Sequence, residues 1–338
     1  IKQNIKLMIK EFHLFAGIGG GIYGGQLLGH QCVAGVEIDE FCKGVLRQRQ
    51  ADGWMHNFDI YGDLTKLGGY AFQGKFDVLC GGFPCQAFST AAHGCNIAEK
   101  NLWDEMRRFA EESEAPIVFG ENVTFKAIDK AGMDLRELGY KVQVCKLSCS
   151  DLGADHVRSR FWLLAVKDRK VFFNLVKNLI PQPKLKVSSW SKDPNSFSYP
   201  EEGIKRGRQL KAVGNAQSPF VAAAAFRILV NRHIIDMDNF KVEVSADELG
   251  EVFDVEQTWI KREHPEIVGY VHTPTTIANY STPSMQKHQG CRNYSAIFGK
   301  PKPKDAEYLM GFPIGASYPG PIGKDIESPW VCVDKDMK

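Results

Sequence analysis

Two side chains stand out by chemistry and position: a thiol at Cys85 and a carboxylate at Glu121. Cys85 lies in Pro84-Cys85-Gln86, directly after the apolar run Phe76 to Cys80 and its turn Gly81-Gly82-Phe83. Glu121 follows Pro116 to Gly120, a second short apolar run that ends in polar groups. In open α/β sheets ligands bind outside the carboxyl ends of the strands, so both groups are expected in one crevice. A thiolate there is a nucleophile, and a helix N-terminus or nearby cation would favour it near neutral pH. A carboxyl group beside it can share or donate a proton. Cys80 sits inside its apolar run and reads as an inert buried thiol, as do Cys32 and Cys145.

The elements that must position these groups follow from the pattern. From Phe12 to Val166, short β-rich runs alternate with helix-like stretches, the rhythm of βαβ units on a parallel sheet. Strands are predicted near 12–16, 32–37, 76–80, 116–120, 142–147 and 160–166. Amphipathic spacing predicts helices over Phe41 to Gln50 and Leu102 to Ser113, covering both sheet faces. The fold class is therefore α/β with a Rossmann-like core. After the first strand, Phe15-Ala16-Gly17-Ile18-Gly19-Gly20-Gly21-Ile22-Tyr23-Gly24 lets backbone N–H groups approach a nucleotide or nucleoside closely. Gly19, Gly21 and Gly24 match the dinucleotide spacing, and Glu37 ends the second strand where an acid grips ribose hydroxyls. These two features suit NAD and S-adenosylmethionine equally.

A chain of 338 residues, 43% hydrophobic, can bury a large core and suggests one big domain with a smaller one. A formal net charge of +2 means that a polyanion would be held by local basic clusters rather than by the whole molecule's field. Nine scattered cysteines without C-x-x-C spacing point to a reducing compartment, with cytosol expected, and to no structural metal site. No apolar run approaches the roughly 18 residues needed to span a bilayer, and the first residues lack a signal-peptide pattern.

Four segments are expected: 1–170 as catalytic and cofactor-binding core, 171–207 as a connecting segment or small lobe, 208–236 as a helix returning to the core, and 237–338 as a target-recognition domain. The connecting segment is rich in proline and serine. Ser218-Pro219 opens an alanine-rich stretch, Phe220 to Arg232, with a good helix start and high helix propensity. Beyond Phe240 the chain is first acidic and then rich in Thr, Pro, Tyr, Asn, Lys and Gly, which reads as loop-rich.

Taken in order, Phe15-Ala16-Gly17-Ile18-Gly19-Gly20, Gly82-Phe83-Pro84-Cys85-Gln86 and Glu121-Asn122-Val123 resemble the DNA cytosine-5 methyltransferase family. His156-Val157-Arg158-Ser159-Arg160 is similar to its Q-x-R-x-R block, with His in place of Gln, and Val213-Gly214-Asn215-Ala216 to its late G-N block. The resemblance covers about two-thirds of the chain. It implies methyl transfer from S-adenosylmethionine to C5 of cytosine in double-stranded DNA, leaving S-adenosylhomocysteine, through a covalent adduct with Cys85 and with the base flipped from the helix. Glu121 is then the group hydrogen-bonded at the base's N3. Arg158 and Arg160 hold the base's O2, the flanking phosphate or the catalytic loop. On the cofactor side the resemblance implies Phe15, Gly17, Ile18 and Gly19 along the methionine and ribose, Glu37 on the ribose hydroxyls, and Ile38, Asp63 and Leu64 at the adenine. Pro84 and Asn215 close the pocket. Gln86 to Lys100 resembles the mobile loop, with Ser89, Thr90 and His93 as DNA contacts beside Gln86.

The chain departs from the family in order. Ala306-Glu307-Tyr308-Leu309-Met310-Gly311-Phe312-Pro313 resembles the penultimate motif but follows the G-N block instead of preceding it. DNA reading is therefore expected mainly after Phe240, with Lys287 and Arg292 among the donors for base edges and phosphates. The expected partner is double-stranded DNA, with no membrane and no metal, and the expected state is a monomer in the cytosol of a bacterial or phage-infected cell, in keeping with restriction-modification. The alternatives are an NAD-dependent oxidoreductase, which leaves the Cys85 and Glu121 blocks unexplained, an RNA (tRNA) cytosine-5 methyltransferase, and a DNA-binding regulator without catalysis. The DNA sequence read, and transfer of a group other than methyl, are open at this level.

Overall fold

The computed structural model describes residues 8–84, 102–177, 184–186, 189–196, 206–235, 241–273, 280 and 282–322. Cys85, Gln86, Ser89, Thr90 and His93 lie outside the described residues.

The framework is a seven-stranded sheet of β1 (Lys10–Leu14), β2 (Gln31–Val36), β3 (Asp59–Tyr61), β4 (Val78–Gly82), β5 (Ile117–Asn122), β6 (Lys141–Leu147) and β7 (Arg160–Val166), in the order β3-β2-β1-β4-β5-β7-β6. The strands expected from sequence form, within two or three residues at each end. β3, only three residues long, was not expected, because so short a run carries no readable period. The sheet also departs from an all-parallel one: β7 runs antiparallel to both β5 and β6. The order reverses between β1 and β4, so the crevice of an open α/β sheet falls there, beside the tips of β1, β4 and β5.

Helices cover both faces. α3 (Trp103–Glu112) and α4 (Phe125–Glu137) pack on one side, where Phe12, Leu14, Leu79 and Val118 point. α1 (Gly20–Leu27) and α2 (Glu40–Ala51) pack on the other, against Val78, Cys80, Ile117 and Phe119. Strand alternation thus sends Phe12 and Leu14 to one face, while Glu11 and His13 face α1.

After β7 come α5 (Arg169–Val176), the two-residue β8 (Leu185–Lys186) and α6 (Arg206–Asn215). The expected alanine-rich helix is α7 (Pro219–Ile234), with Pro219 in its first turn, but the segment 208–236 expected as one helix is two, α6 and α7, because the Ser218-Pro219 start signal opens a new helix. It is apolar nearly all round because it lies between α1 and the β6–β7 side of the sheet. Its approach to α1 is close enough that a β-carbon on Gly24 would lie 2.9 Å from the Pro219 carbonyl oxygen. Burying Phe220, Phe226, Ile228 and Leu229 contributes about 1.5–3 kcal/mol each.

The remaining elements are α8 (Ala246–Val252), β9 (Phe253–Asp254) paired with β8, α9 (Trp259–Glu263), α10 (Gln289–Phe298) and α11 (Pro303–Met310). α11 packs on α6, and Phe312 meets Tyr23 of α1 edge-on. The buried guanidinium of Arg49 in α2 donates to the Gly315 and Gly320 carbonyls at 2.7 and 2.6 Å. The block that stands late in sequence therefore folds back against α1, α2 and α6. No helix among the described residues is long and apolar enough to cross a membrane.

Candidate active site

The site forms where β1, β2, β4 and β5 end. The β1–α1 turn is tight: Phe15 and Gly17 have φ of 54° and 55°, and Gly19 caps α1 at 89°. Gly17 faces open space, since a β-carbon there would meet nothing within 4 Å. Its N–H donates to Glu37 Oε2 at 2.6 Å, and Asp39 N–H donates to Glu37 Oε1 at 2.8 Å. Glu37 is thus locked at the β2 tip with lone pairs left on both oxygens. Burial raises its pKa, opposed by the backbone hydrogen bonds from Asp39 and Gly17. Ile38 beside it is 71% exposed, an apolar platform at the strand ends. An open glycine turn, an anchored carboxylate and an exposed aliphatic side chain fit an adenosine-bearing cofactor.

Other expected cofactor residues are placed less uniformly. Ile18 is buried in the α1 layer, leaving its backbone to face the turn, and Gly19 is buried with it. Leu64 is buried in the α3–α4 layer. Asp63 caps the one-turn segment Leu64–Lys66 by accepting from Thr65 N–H and Oγ1 at 3.0 and 2.7 Å, and those bonds lower its pKa. Pro84 and Asn215 are exposed.

β4 and β5 pair in register, with Gly82 opposite Glu121. One residue on, buried Asn122 donates from Nδ2 to the Phe83 carbonyl at 2.9 Å and accepts from Thr124 N–H at 3.1 Å. The Phe83 ring packs on Trp103, whose Nε1 donates to Asp134 at 2.7 Å. The chain that enters Pro84-Cys85 is thereby tied to the β5 tip. Sequence reasoning quoted Asn122 in its block without assigning it this work.

Glu121 is 9% exposed, and its Oε1 lies 3.2 Å from Arg160 Nε, a charge contact without hydrogen-bond alignment. Its pKa is raised, because burial outweighs the opposing Arg160 and Arg158 charges and the Gln217 amide. Arg160 comes from β7 and also donates to the Ser159 carbonyl at 2.8 Å. Arg158 points elsewhere: its Nη2 donates to the Gly214 and Ala216 carbonyls at 2.9 and 3.0 Å, spanning to the α6–α7 turn. Burial, then the Arg160 charge, pull Arg158 down to about 10. His156 is wholly buried, and neither ring nitrogen has a hydrogen-bond partner among the described residues. Burial and the two arginines push it down to about 3, so it is neutral.

Beyond the arginines, Val271 N–H donates to the Asp155 carbonyl at 2.7 Å, and Thr273 Oγ1 to the Val157 carbonyl at 2.6 Å. α10 braces this segment, with Asn293 Nδ2 donating to the Val268 and Tyr270 carbonyls at 3.0 Å each. Lys287 and Arg292 are exposed at the start of α10, and Arg292 also donates to the Gln286 and Lys287 carbonyls at 2.9 Å each.

Sequence reasoning missed two features. Gln217, two residues past Asn215, reaches Glu121 with Nε2 3.4 Å from Oε2; its nearness to the G-N block was the available signal. Glu11, His13 and His30 form a buried triad under α1, with Glu11 oxygens 2.8 and 2.7 Å from His13 Nε2 and His30 Nδ1. No sequence motif marks that triad.

A family model described as C-5 cytosine-specific DNA methylase matches residues 9–268. The Type II methyltransferase M.MspI of Moraxella sp is 31% identical over 183 residues, covering 50% of this chain and 41% of that one. The Type II methyltransferase M.HhaI of Haemophilus parahaemolyticus is 27% identical, covering 57% of this chain and 58% of its own. The chain spans about half the length of the curated relatives it matches. The solved S. pombe Dnmt2 methyltransferase aligns over 91% of this chain and 95% of its own, at 14% identity and a TM-score of 0.41.

Proposed function

The chain belongs to the C-5 cytosine-specific DNA methylase family, and from that premise we propose that it methylates C5 of cytosine in double-stranded DNA with S-adenosylmethionine as donor. One observation carries the reading: a buried carboxyl of raised pKa at Glu121 stands in register with Gly82, three residues before Cys85, and Asn122 pins the intervening backbone. A dehydrogenase would not need this pair.

Cytosine C5 is a weak nucleophile. The Cys85 thiolate forms an S–C6 bond, and the π pair of the C5=C6 double bond shifts to make C5 enamine-like, with negative charge reaching N3, where Glu121 steadies it by sharing its proton. The glycine turn and Glu37 would hold S-adenosylmethionine, which would supply an electrophilic methyl carbon on its sulfonium; as C5 bonds to that carbon the S–CH3 bond would break with its electron pair left on sulfur, giving S-adenosylhomocysteine. Loss of the C5 proton to a base then restores the ring and expels the Cys85 thiolate. Arg160 keeps Glu121 in place and offers donors toward the base, while Arg158 acts through the α6–α7 turn rather than by touching the base.

For the donor, Glu37 receives the ribose hydroxyls, Ile38 and Asp63 flank the adenine, and the turn through Phe15, Gly17, Ile18 and Gly19 offers backbone to the methionine part. Leu64 contributes from behind that wall, and Pro84 and Asn215 stand at the mouth. The base must leave the duplex to reach Cys85. Gln86, Ser89, Thr90 and His93 follow the nucleophile in sequence and serve the extruded strand. The segment beyond residue 237, with Lys287 and Arg292, reads the DNA, and its docking beside Arg158 supports that assignment. The reading includes action as a monomer, without a metal, in the cytosol of a bacterial or phage-infected cell.

Labelled-methyl transfer to plasmid DNA, with mapping of the modified cytosines, tests the reading. Cys85→Ala is expected to lose turnover while still binding DNA and S-adenosylhomocysteine. Undiminished methylation by that variant, or transfer to tRNA and not to DNA, would overturn it.

A further inference from the structure

Glu121 is held from two sides. Arg160 faces Oε1, and Gln217 Nε2 lies 3.4 Å from Oε2. Gln217 also presses on the other strand ends. A β-carbon on Gly82 would lie 2.9 Å from its Nε2, and one on Gly21 would lie 2.5 Å from its Oε1. At Gly20 a β-carbon would collide with the Gln217 backbone itself. The Gln217 side chain therefore fills the space that Gly21 and Gly82 leave, and its backbone the space at Gly20, between the start of α1, the β4 tip and the β5 carboxylate. Its backbone is fixed in turn, because Arg158 grips the carbonyls of Gly214 and Ala216 immediately before it.

We infer that Gln217 is a positioning residue. It aims the Glu121 carboxyl into the crevice and couples that aim to the glycine turn, with Arg158 acting on Glu121 through it. The inference rests on the methyl-transfer reading and adds a residue and a direction of action to it. The amide can do this because it offers a donor to the carboxylate and an acceptor to the turn side at once. A leucine of similar size would fill the volume with neither. A donated hydrogen bond favours the ionised carboxylate, so losing it raises the Glu121 pKa further. Among the described residues Arg160 faces Glu121 and the charge of Arg158 also reaches it, both from the β7 side; β4 presents Gly82, the start of α1 presents Gly20 and Gly21, and the His13 ring of β1 lies beside Gly21 on the far side of the Gln217 amide.

The test compares the wild-type chain with Gln217→Leu and Gln217→Glu. The Glu121 midpoint is read by carboxyl ¹³C NMR, and the pH profile of kcat by methyl transfer. Gln217→Leu is expected to raise the midpoint by about half to one pH unit and to lower kcat about 3- to 10-fold, with KM for DNA within about twofold. The alkaline limb of kcat should move up with the midpoint. Gln217→Glu keeps the shape, guards against a folding defect, and should raise the midpoint more, because it sets a second carboxylate beside the first. An unmoved midpoint in both variants, or a kcat loss with no shift of the alkaline limb, overturns the inference. The NMR arm needs no turnover, so a wild type that methylates no DNA defeats the methyl-transfer reading separately.

Discussion

Asn122→Ala is the most direct probe of how the sheet presents its nucleophile. The wild-type amide donates to the Phe83 carbonyl at 2.9 Å and accepts from Thr124 N–H at 3.1 Å. Phe83 and Asn122 are each 3% exposed, so water cannot readily replace the first bond. Stranding that carbonyl costs about 1–3 kcal/mol, and the half-buried Thr124 N–H adds about 0.5 kcal/mol where water reaches it. The expected loss is about 2–3 kcal/mol. Urea unfolding followed by tryptophan fluorescence measures it, since Trp103 packs 4.9 Å from the Phe83 ring. The m-value should not change. Methyl transfer should suffer beyond the lost stability, because Phe83, two residues before Cys85, would no longer be tied to the β5 tip, and a displacement of about 1 Å at a reacting atom can cost about 100-fold in rate. A stability loss under about 0.5 kcal/mol, or a normal kcat in the folded variant, would refute a role for this bond in anchoring the β4 end that leads to the nucleophile.

Two further predictions concern the β2 tip and the layer beneath α1. Glu37→Ala should weaken S-adenosylhomocysteine binding about 10- to 100-fold by calorimetry, the weight of one or two hydrogen bonds to a charged carboxylate, and unchanged affinity would remove Glu37 from the cofactor site. Acid stability should report the buried triad: burial opposes ionisation of Glu11, but the His30 and His13 contacts win and hold it at about 2 against an ordinary 4.5. A depressed carboxylate stabilises the fold fully above 4.5 and loses that contribution as pH falls from 4.5 toward 2, on the order of 3 kcal/mol in all. Unfolding midpoints measured between pH 5.5 and 3 should fall more steeply in wild type than in Glu11→Gln; parallel curves would contradict the assignment.

Local pattern was enough for the core strands and for α2, α3 and α7, and it supplied the ordered blocks around Gly17, Cys85, Glu121 and Arg158 on which the family resemblance was read. Each is a short run whose period, glycine content or strand-end polarity is set by neighbours in the chain. β3 escaped because three residues carry no period, and the antiparallel β7 because strand direction depends on where the connection returns. Arg158 and Arg160, two residues apart, looked like one pair. In the folded protein one grips the α6–α7 turn and the other faces Glu121, since side-chain aim depends on what lies across the gap. Gln217 and the Glu11–His13–His30 triad were invisible for the same reason. Residues 217 and 121 become neighbours only when α7 folds onto α1, and Glu11 meets His30 only when β1 and the α1–β2 turn close on each other. The kinds of chemistry were written locally, in residue type and spacing; which groups face one another, and hence which pKa values move, arose from packing between distant segments.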